Sequence, residues 1–238
     1  MSDFDQFQAL SFDCYGTLID WESGIANALR PWATRNALTL DDQALIAAHG
    51  RHESVVQDEM PDVLYPLILG ETLRRVGVDL GALVTDADAK AYGDSVKDWP
   101  AFPDSVDSLT RLSKSFKLII VSNIDRASFA SSNPRLGVTF DAIVTAEDVG
   151  SYKPRRDHFD RLFEEISRLG VARDRLVHVA ESLFHDHEPA AALGLASVWI
   201  HRRHELGGTG ATATPSGEVS PTWRFTSMAE FAEAAVPA

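Results

Sequence analysis

Cysteine is almost absent from this chain of 238 residues: Cys14 is the only one. That excludes an internal disulfide framework and any thiolate metal centre. Basic residues are scarce too, with 22 Lys and Arg against 35 Asp and Glu, a formal charge of -13 and a pI near 4.9. Such a balance argues against nucleic acid or an anionic membrane as partner, and an anionic substrate would need a locally positive pocket. No apolar run approaches the length of a membrane-spanning helix. The start Met1-Ser2-Asp3-Phe4-Asp5 lacks the basic and apolar regions of a secretory signal, so a reducing cytoplasm is the expected location. Internal repeats and low-complexity tails are also missing. What remains is an ordinary globular composition, 45% hydrophobic, which can fill a large core in one big domain or two unequal ones.

Two kinds of pattern divide the chain. From about Trp21 to Lys97, apolar residues recur at three- and four-residue spacing, as in Ile25-Ala26-Leu29-Trp32, Leu45-Ile46-Ala48 and Val63-Leu64-Leu67-Ile68. That spacing predicts several helices packed on one another. Pro100, Phe102 and Pro103 interrupt it, and strands then alternate with helices. Leu118 to Val121, Phe140 to Val144, Leu176 to Val179 and Ala196 to Ile200 read as buried strands, with helices over Arg156 to Leu169 and Pro189 to Leu193. The alternation predicts a Rossmann-like α/β core, a parallel sheet flanked by helices, carrying an inserted α-helical unit. The expected division is 1–17 and 101–238 for the core and 18–100 for the insertion. The tract from Gly207 to Pro221, rich in Gly, Thr, Ser and Pro, reads as a surface loop before a last strand and helix.

The strands end in chemistry. Ala9, Leu10 and Phe12 form an apolar strand end, and Phe12-Asp13-Cys14-Tyr15-Gly16-Thr17-Leu18 then sets a carboxylate, a tight Gly turn and a hydroxyl at the edge where open α/β sheets bind ligands. Ser122-Asn123 follows the next strand, then come Lys153 in Ser151-Tyr152-Lys153-Pro154, and Glu181, Ser182 and Asp186. Taken singly, Ser122-Asn123 is a helix cap, Lys153 a surface charge, and Glu181 and Asp186 turn residues. In order, each at a strand end, they converge on one rim.

On these residues the chain resembles the haloacid dehalogenase superfamily over essentially its full length. The first motif matches at Asp13 and Thr17, the second at Ser122, the third at Lys153 with Pro154 and the fourth at Glu181 and Asp186; the helical insertion looks like that family's cap domain. Its phosphatases carry a second Asp two residues after the nucleophile, where this chain has Tyr15, a poor proton donor at neutral pH. Tyr there is the pattern of the L-2-haloacid dehalogenases. By the same resemblance Arg51 falls where those enzymes carry an arginine facing the leaving group, and Asn123 where a halide is hydrogen-bonded. Glu181, Leu183 and Phe159 depart from that pattern, standing where Ser, Asn and Tyr are usual. The wording around Asp13, Trp99 to Asp104 and Ala180 to His187 resembles still more closely the azetidine-2-carboxylate hydrolases, which open a four-membered ring at C2.

The resemblance implies a hydrolase in which Asp13 attacks C2 of a small 2-substituted carboxylate, forming an aspartyl ester that water cleaves. Lys153 would lower the Asp13 pKa, Asp186 would order Lys153 and the water, and Thr17, Ser122 and loop N–H groups would hold the substrate carboxylate. Tyr15, Arg51, Asn123 and Glu181 complete the implied substrate contacts. A halide would want Arg51 and Asn123; a cationic ring nitrogen would want a carboxylate, Glu181 first, then Glu53 or Asp125. His52, His185 and His187 read as capping or packing residues, and no metal or cofactor is implied. A small carboxylate is the expected partner, without nucleic acid or membrane, and a homodimer is left open. Two alternatives stand: a Mg²⁺-dependent phosphatase using Asp13 and Glu181 as hard oxygen ligands, and a non-catalytic binding protein.

Overall fold

The computed structural model describes residues 2–208 and 210–237. Among these, six strands form one parallel sheet: β1 (Ala9–Phe12), β2 (Lys117–Ser122), β3 (Ala142–Thr145), β4 (Leu176–Ala180), β5 (Ser197–Ile200) and β6 (Trp223–Phe225), in the order β3-β2-β1-β4-β5-β6. β1, β2 and β4 are built from apolar residues that bury on both faces, as a parallel sheet covered on both sides requires. β1 pairs with β2 through Phe12 and Ile120 and with β4 through Phe12 and Val179. The order turns back between β1 and β4, so Asp13, just past Phe12, lies at the switch point of the sheet.

Between β1 and β2 run five helices: α1 (Trp21–Arg35), α2 (Asp42–Glu59), α3 (Tyr65–Leu80) and α4 (Asp86–Gly93) make up the helical unit the spacing predicts, and α5 (Ser105–Leu112) leads into β2. Side chains start three of the first four: Asp20 accepts from the Ser23 N–H, Asp41 from the Ala44 N–H, and Thr85 with Asp88 forms a reciprocal capping box. The buried stripe of α2 is unusual in alternating Leu45, Ile46, Ala48 and Val56 with His49, Glu53 and Gln57. Polar residues on a buried stripe need partners: His49 meets the Tyr92 hydroxyl, and Glu53 and Gln57 line the site described below. Trp99, 1% exposed, locks the insertion to the sheet rim. Its ring lies edge-on to Tyr15 and to Tyr65, and sits so close to Gly24 that a Cβ there would come within 2.3 Å of it. The two connections to the insertion run side by side: Ile19 bridges Ala101, the Phe102 N–H donates to the Leu18 carbonyl and the Asp20 N–H to that of Pro100.

After β2, interleaved with the remaining strands, come α6 (Arg126–Ser132), α7 (Ala146–Val149), α8 (Asp157–Arg168), α9 (Glu188–Ala192) and α10 (Met228–Ala235). α8 buries Phe159, Leu162 and Ile166 at helical spacing, packed with Ile119, Val121 and Val144 of the sheet. No described helix is long and apolar enough to cross a membrane. The tract read as a surface loop holds one residue that is nothing of the kind: Ala211 is 1% exposed, its backbone close against Gly50 of α2.

Two buried histidines give the fold a pH dependence. Burial depresses His158 on α8 from 6.5 to about 3, helped by the Lys153 charge, and depresses His187, beyond β4, to about 4. Between those values and 6.5 the unfolded chain binds protons that the folded chain refuses. Stability is therefore full above about pH 6.5 and declines on acidification, each histidine contributing at most about 1.4 kcal/mol per pH unit. Urea unfolding at pH 7.5, 6 and 5 should give a falling series that His158→Leu makes shallower. An unaltered slope would mean that His158 is not held neutral.

Candidate active site

The loop after β1 folds because Gly16 adopts φ +97°, a conformation open to glycine at little cost, and because the Leu18 and Ile19 N–H groups both reach back to the Cys14 carbonyl. The turn presents Asp13, held by the bond from its own N–H to the Val179 carbonyl. Lys153 Nζ lies 2.9 Å from Asp13 Oδ1, 2.7 Å from Asp186 Oδ1 and 3.0 Å from the Val121 carbonyl oxygen. Thr17 Oγ1 donates to Asp13 Oδ2 at 2.8 Å and accepts from the Glu181 N–H at 2.9 Å. Asp186 Oδ1 is also 2.9 Å from His178 Nε2, whose Nδ1 meets Ser11 Oγ at 2.8 Å. Lys153 and Asp186 are each 1% exposed at the side chain, so this is a buried, hydrogen-bonded charge cluster.

One cation serves two carboxylates here. Burial raises the Asp13 carboxyl above its ordinary range; the Lys153 charge opposes this and the Asp186 charge adds to it. Asp186 is held far below the ordinary range because the Lys153 charge and the His178 hydrogen bond outweigh its burial. Lys153 Nζ is correspondingly raised, the two carboxylates overcoming its burial. Lys153 does pull the Asp13 pKa down, but as a cation shared with Asp186 it does not offset the burial, so Asp13 stays above its ordinary range.

The model of the haloacid dehalogenase-like hydrolases matches residues 7–194, most of the chain. The chain belongs to this family. Its fold is that of the defluorinating L-2-haloacid dehalogenase Rha0230 (24% identity, 100% of this chain and 98% of that one, TM-score 0.77) and the L-2-haloacid dehalogenase of Xanthobacter autotrophicus (19%, 95% and 97%, 0.77). A similar match is the HAD hydrolase YfnB of Bacillus subtilis, solved bound to magnesium (18%, 96% and 98%, 0.76). In sequence the chain is 28% identical over 130 residues to the pyrimidine 5'-nucleotidase YjjG of Escherichia coli K12, spanning about half the length of that relative (53%) and 54% of this chain.

In this haloacid dehalogenase-like hydrolase one cavity gathers most of the residues singled out in the sequence. Asp13, Tyr15, Ser122, Asn123, Lys153, Glu181 and Asp186 line it, with Thr17 hydrogen-bonded just behind Asp13. Asn123 is already engaged: its Oδ1 accepts from the Lys153 N–H at 2.6 Å and its Nδ2 donates to the Lys153 carbonyl at 3.1 Å, so it anchors the Lys153 loop. Tyr15 donates its hydroxyl to Ser132 Oγ at 2.8 Å.

Arg51 is not in the cavity. Its side chain is 53% exposed on the outer face of α2, near Asp79. Two residues along a helix turn by about 200°, so the face that buries Glu53 and Gln57 necessarily turns Arg51 to solvent. Asp125 is likewise elsewhere, capping α6 through the Ser128 N–H. His52 pairs with Asp79 at 2.7 Å at the surface, and His187 is packed against Ser197 Oγ and the Ala180 carbonyl; neither lines the cavity.

Glu181 lines the cavity with a changed chemical character. Burial pushes its carboxyl up to about 8, with the Glu22, Asp13 and Asp186 charges adding and a hydrogen bond from Thr212 Oγ1 (3.1 Å) opposing. It is a neutral acid at pH 7. Glu53 is its converse: burial raises it, but the neighbouring His49, with Nε2 3.7 Å away, and the Tyr65 hydroxyl (2.7 Å) together hold it below the ordinary carboxylate range. Residues the sequence did not single out also line the cavity: Trp21, Gln57, Tyr65 and Thr212. For Gln57 and Glu53 a signal existed, polar residues at i and i+4 on an otherwise apolar helix stripe; for Thr212 there was none.

YfnB was solved with magnesium, and in this chain the oxygen donors in question are those of Asp13 and Glu181. Asp13 engages Oδ1 with Lys153 and Oδ2 with Thr17, and burial in the metal-free cavity favours the protonated form of Glu181. Among the described residues no three His, Cys, Asp or Glu side chains converge as a metal-holding group. Mg²⁺ is held best by ionised carboxylates with an oxygen to spare, and the Asp13–Glu181 pair does not offer that combination.

Proposed function

We propose that this hydrolase displaces a cationic nitrogen from C2 of a small 2-substituted carboxylate, an azetidine-2-carboxylate type of ring opening, through an ester on Asp13. One observation carries the choice of leaving group: the side chains that α2 brings to the cavity are the ionised Glu53 and Gln57, while Arg51 points away. A departing halide wants a cation, and the lysine of this cavity is already committed to Asp13 and Asp186. A ring ammonium finds Glu53 waiting.

The electrostatics support the same reading at the nucleophile. Asp13 attacks only as a carboxylate, and its pKa is raised by burial beside Asp186. A bound ammonium adds positive charge to the cavity and favours the ionised form, whereas a purely anionic haloacid opposes it. Attack of Asp13 on C2 forms the C–O bond as the C–N bond breaks, and nitrogen leaves with the electron pair as a neutral amine, which needs no proton donor at Tyr15. The phosphatase alternative lacks that donor, since the Tyr15 hydroxyl is bonded to Ser132 and its pKa is driven well above 10 by burial.

The substrate carboxylate must be held in a cavity rich in acids. Glu181 serves as a neutral carboxylic acid able to donate to it, together with the region of Ser122. The cap helices exclude bulk water and strengthen each contact.

Kinetics of two variants on two substrates test the assignment. Glu53→Gln should lower kcat/KM for azetidine-2-carboxylate on the order of 100-fold, the scale of a lost charge-assisted hydrogen bond, and change turnover of 2-chloropropionate only a few-fold. Arg51→Ala should alter neither by more than about twofold, as expected of a surface charge. Equal losses on both substrates in Glu53→Gln would remove Glu53 from the leaving-group side and sink the nitrogen reading.

A further inference from the structure

Two buried polar atoms in the cavity have no hydrogen-bond partner among the described residues: Asp186 Oδ2 and His185 Nε2. Both residues line the wall that also carries Asp13. They come from one wide helical turn, Leu183–His187, in which the His187 N–H reaches back to the Ser182 carbonyl. Such turns insert an extra residue and re-aim side chains, often at functional sites. Unpaired buried polar atoms are costly, and two facing one cavity are the pattern of a site that holds a water.

We propose that His185, through Nε2, accepts the proton of the water that cleaves the ester on Asp13. This rests on the reading of Asp13 as the ester-forming nucleophile. His185 is 7% exposed and is fixed from its other side, where Nδ1 lies 3.1 Å from Ser182 Oγ and the Ser182 Oγ accepts the His185 N–H at 2.9 Å. The tautomer with hydrogen on Nδ1 donates to Ser182 and leaves the Nε2 lone pair for the water.

The other acids and bases of the cavity are unsuited to the task. Asp186 binds Lys153 and His178 so strongly that it is a feeble base, though its free Oδ2 can orient the water. Glu181 carries its own proton, Lys153 is a cation, and Asp13 is itself the ester. Burial lowers the His185 pKa, so the imidazole is neutral and ready at pH 7.

The proton also has a way out. His185 borders a second cavity of about 150 Å³, whose rim includes the exposed Asp58 and Arg155. Water oxygen bonds to Cγ of Asp13 as its proton moves to Nε2. Collapse then breaks the Cγ–O bond to C2, and the departing alkoxide takes the hydroxyl proton left on Cγ. The products are a 2-hydroxy acid and the Asp13 carboxylate, while the proton on Nε2 passes to the amine or to solvent.

Single-turnover experiments with excess enzyme and azetidine-2-carboxylate, quenched and read by intact mass, separate the two halves of the reaction. In His185→Asn the Asp13 adduct should form at close to the wild-type rate and persist, its decay slowed on the order of 100-fold, the low end of general-base contributions. Added imidazole should partly restore decay in His185→Ala. In wild-type protein, ester decay should fall in acid along a limb below pH 6.5. The charged groups facing that imidazole are Glu53 of α2, Asp186 and Lys153. An adduct in His185→Asn that decays at the wild-type rate, or His185→Asn turning over with no adduct, overturns the inference. If neither protein shows an adduct and Asp13 takes up no ¹⁸O from labelled water, the ester itself falls, and the inference with it.

Discussion

Asp13→Asn is expected to give a folded protein that makes no product, a loss of at least about 10⁴-fold in kcat, as for removal of other catalytic nucleophiles. The substitution keeps volume and shape but takes away the attacking anion. It also leaves Lys153 with Asp186 alone, a one-to-one ion pair, so the cluster is better balanced than in the native chain. Thermal stability should therefore hold or rise while activity vanishes, a pairing typical of sites that trade stability for chemistry. In wild-type protein, a single turnover in H₂¹⁸O should place label on Asp13 and leave the first product unlabelled. Label appearing directly in first-turnover product would eliminate a covalent route through Asp13.

Lys153→Met should damage both fold and function. Removing the ammonium strands two carboxylates in a buried site, a cost of about 3–5 kcal/mol by analogy with other broken buried pairs. The deficit depends on pH with a definite sign. Without Lys153, repulsion raises the folded-state pKa of the carboxylate pair above the unfolded value, so the folded chain binds the extra proton. Its stability is then greatest in acid and falls as pH rises through the raised value. The gap to wild type should narrow from pH 7.5 to pH 5 in urea titrations, and Asp186→Asn added to Lys153→Met should recover part of it. A gap that is constant with pH would mean that packing, not charge, accounts for the loss.

Much of this architecture was legible because the physics that writes it is local. Leu118 to Val121 is a continuous apolar run and Leu176 to Val179 is one broken only by His178, a pattern that strands covered on both faces use. Asp13, Ser122, Lys153 and Asp186 follow or adjoin such strands, so their convergence follows from the parallel topology. The phase of α2 was harder, since Arg51 and Glu53 are two residues apart and a resemblance transfers positions, not rotations. The buried polar stripe of His49, Glu53 and Gln57 held the answer, but reading it requires knowing which side meets the sheet. Charge states were beyond reach. Whether Asp13 or Glu181 is ionised depends on how one ammonium is divided and how far water is excluded. Thr212 lies in a tract whose composition says loop and nothing about where that loop lands.

The paired connectors at Leu18–Asp20 and Pro100–Phe102 have a meaning for ancestry. The chain leaves the sheet and returns to it at points one hydrogen bond apart, Leu18 to Phe102, with Ser105 Oγ on the same Leu18 carbonyl. A stretch of some eighty residues can therefore be spliced in or out there without shifting the register of β1 against β2. The scaffold that holds Asp13, Lys153 and Asp186 is thus separable from the helices that carry Glu53 and Gln57. An exchange of those helices at the paired connectors would leave the loop that carries Asp13 in place while altering which molecules reach it.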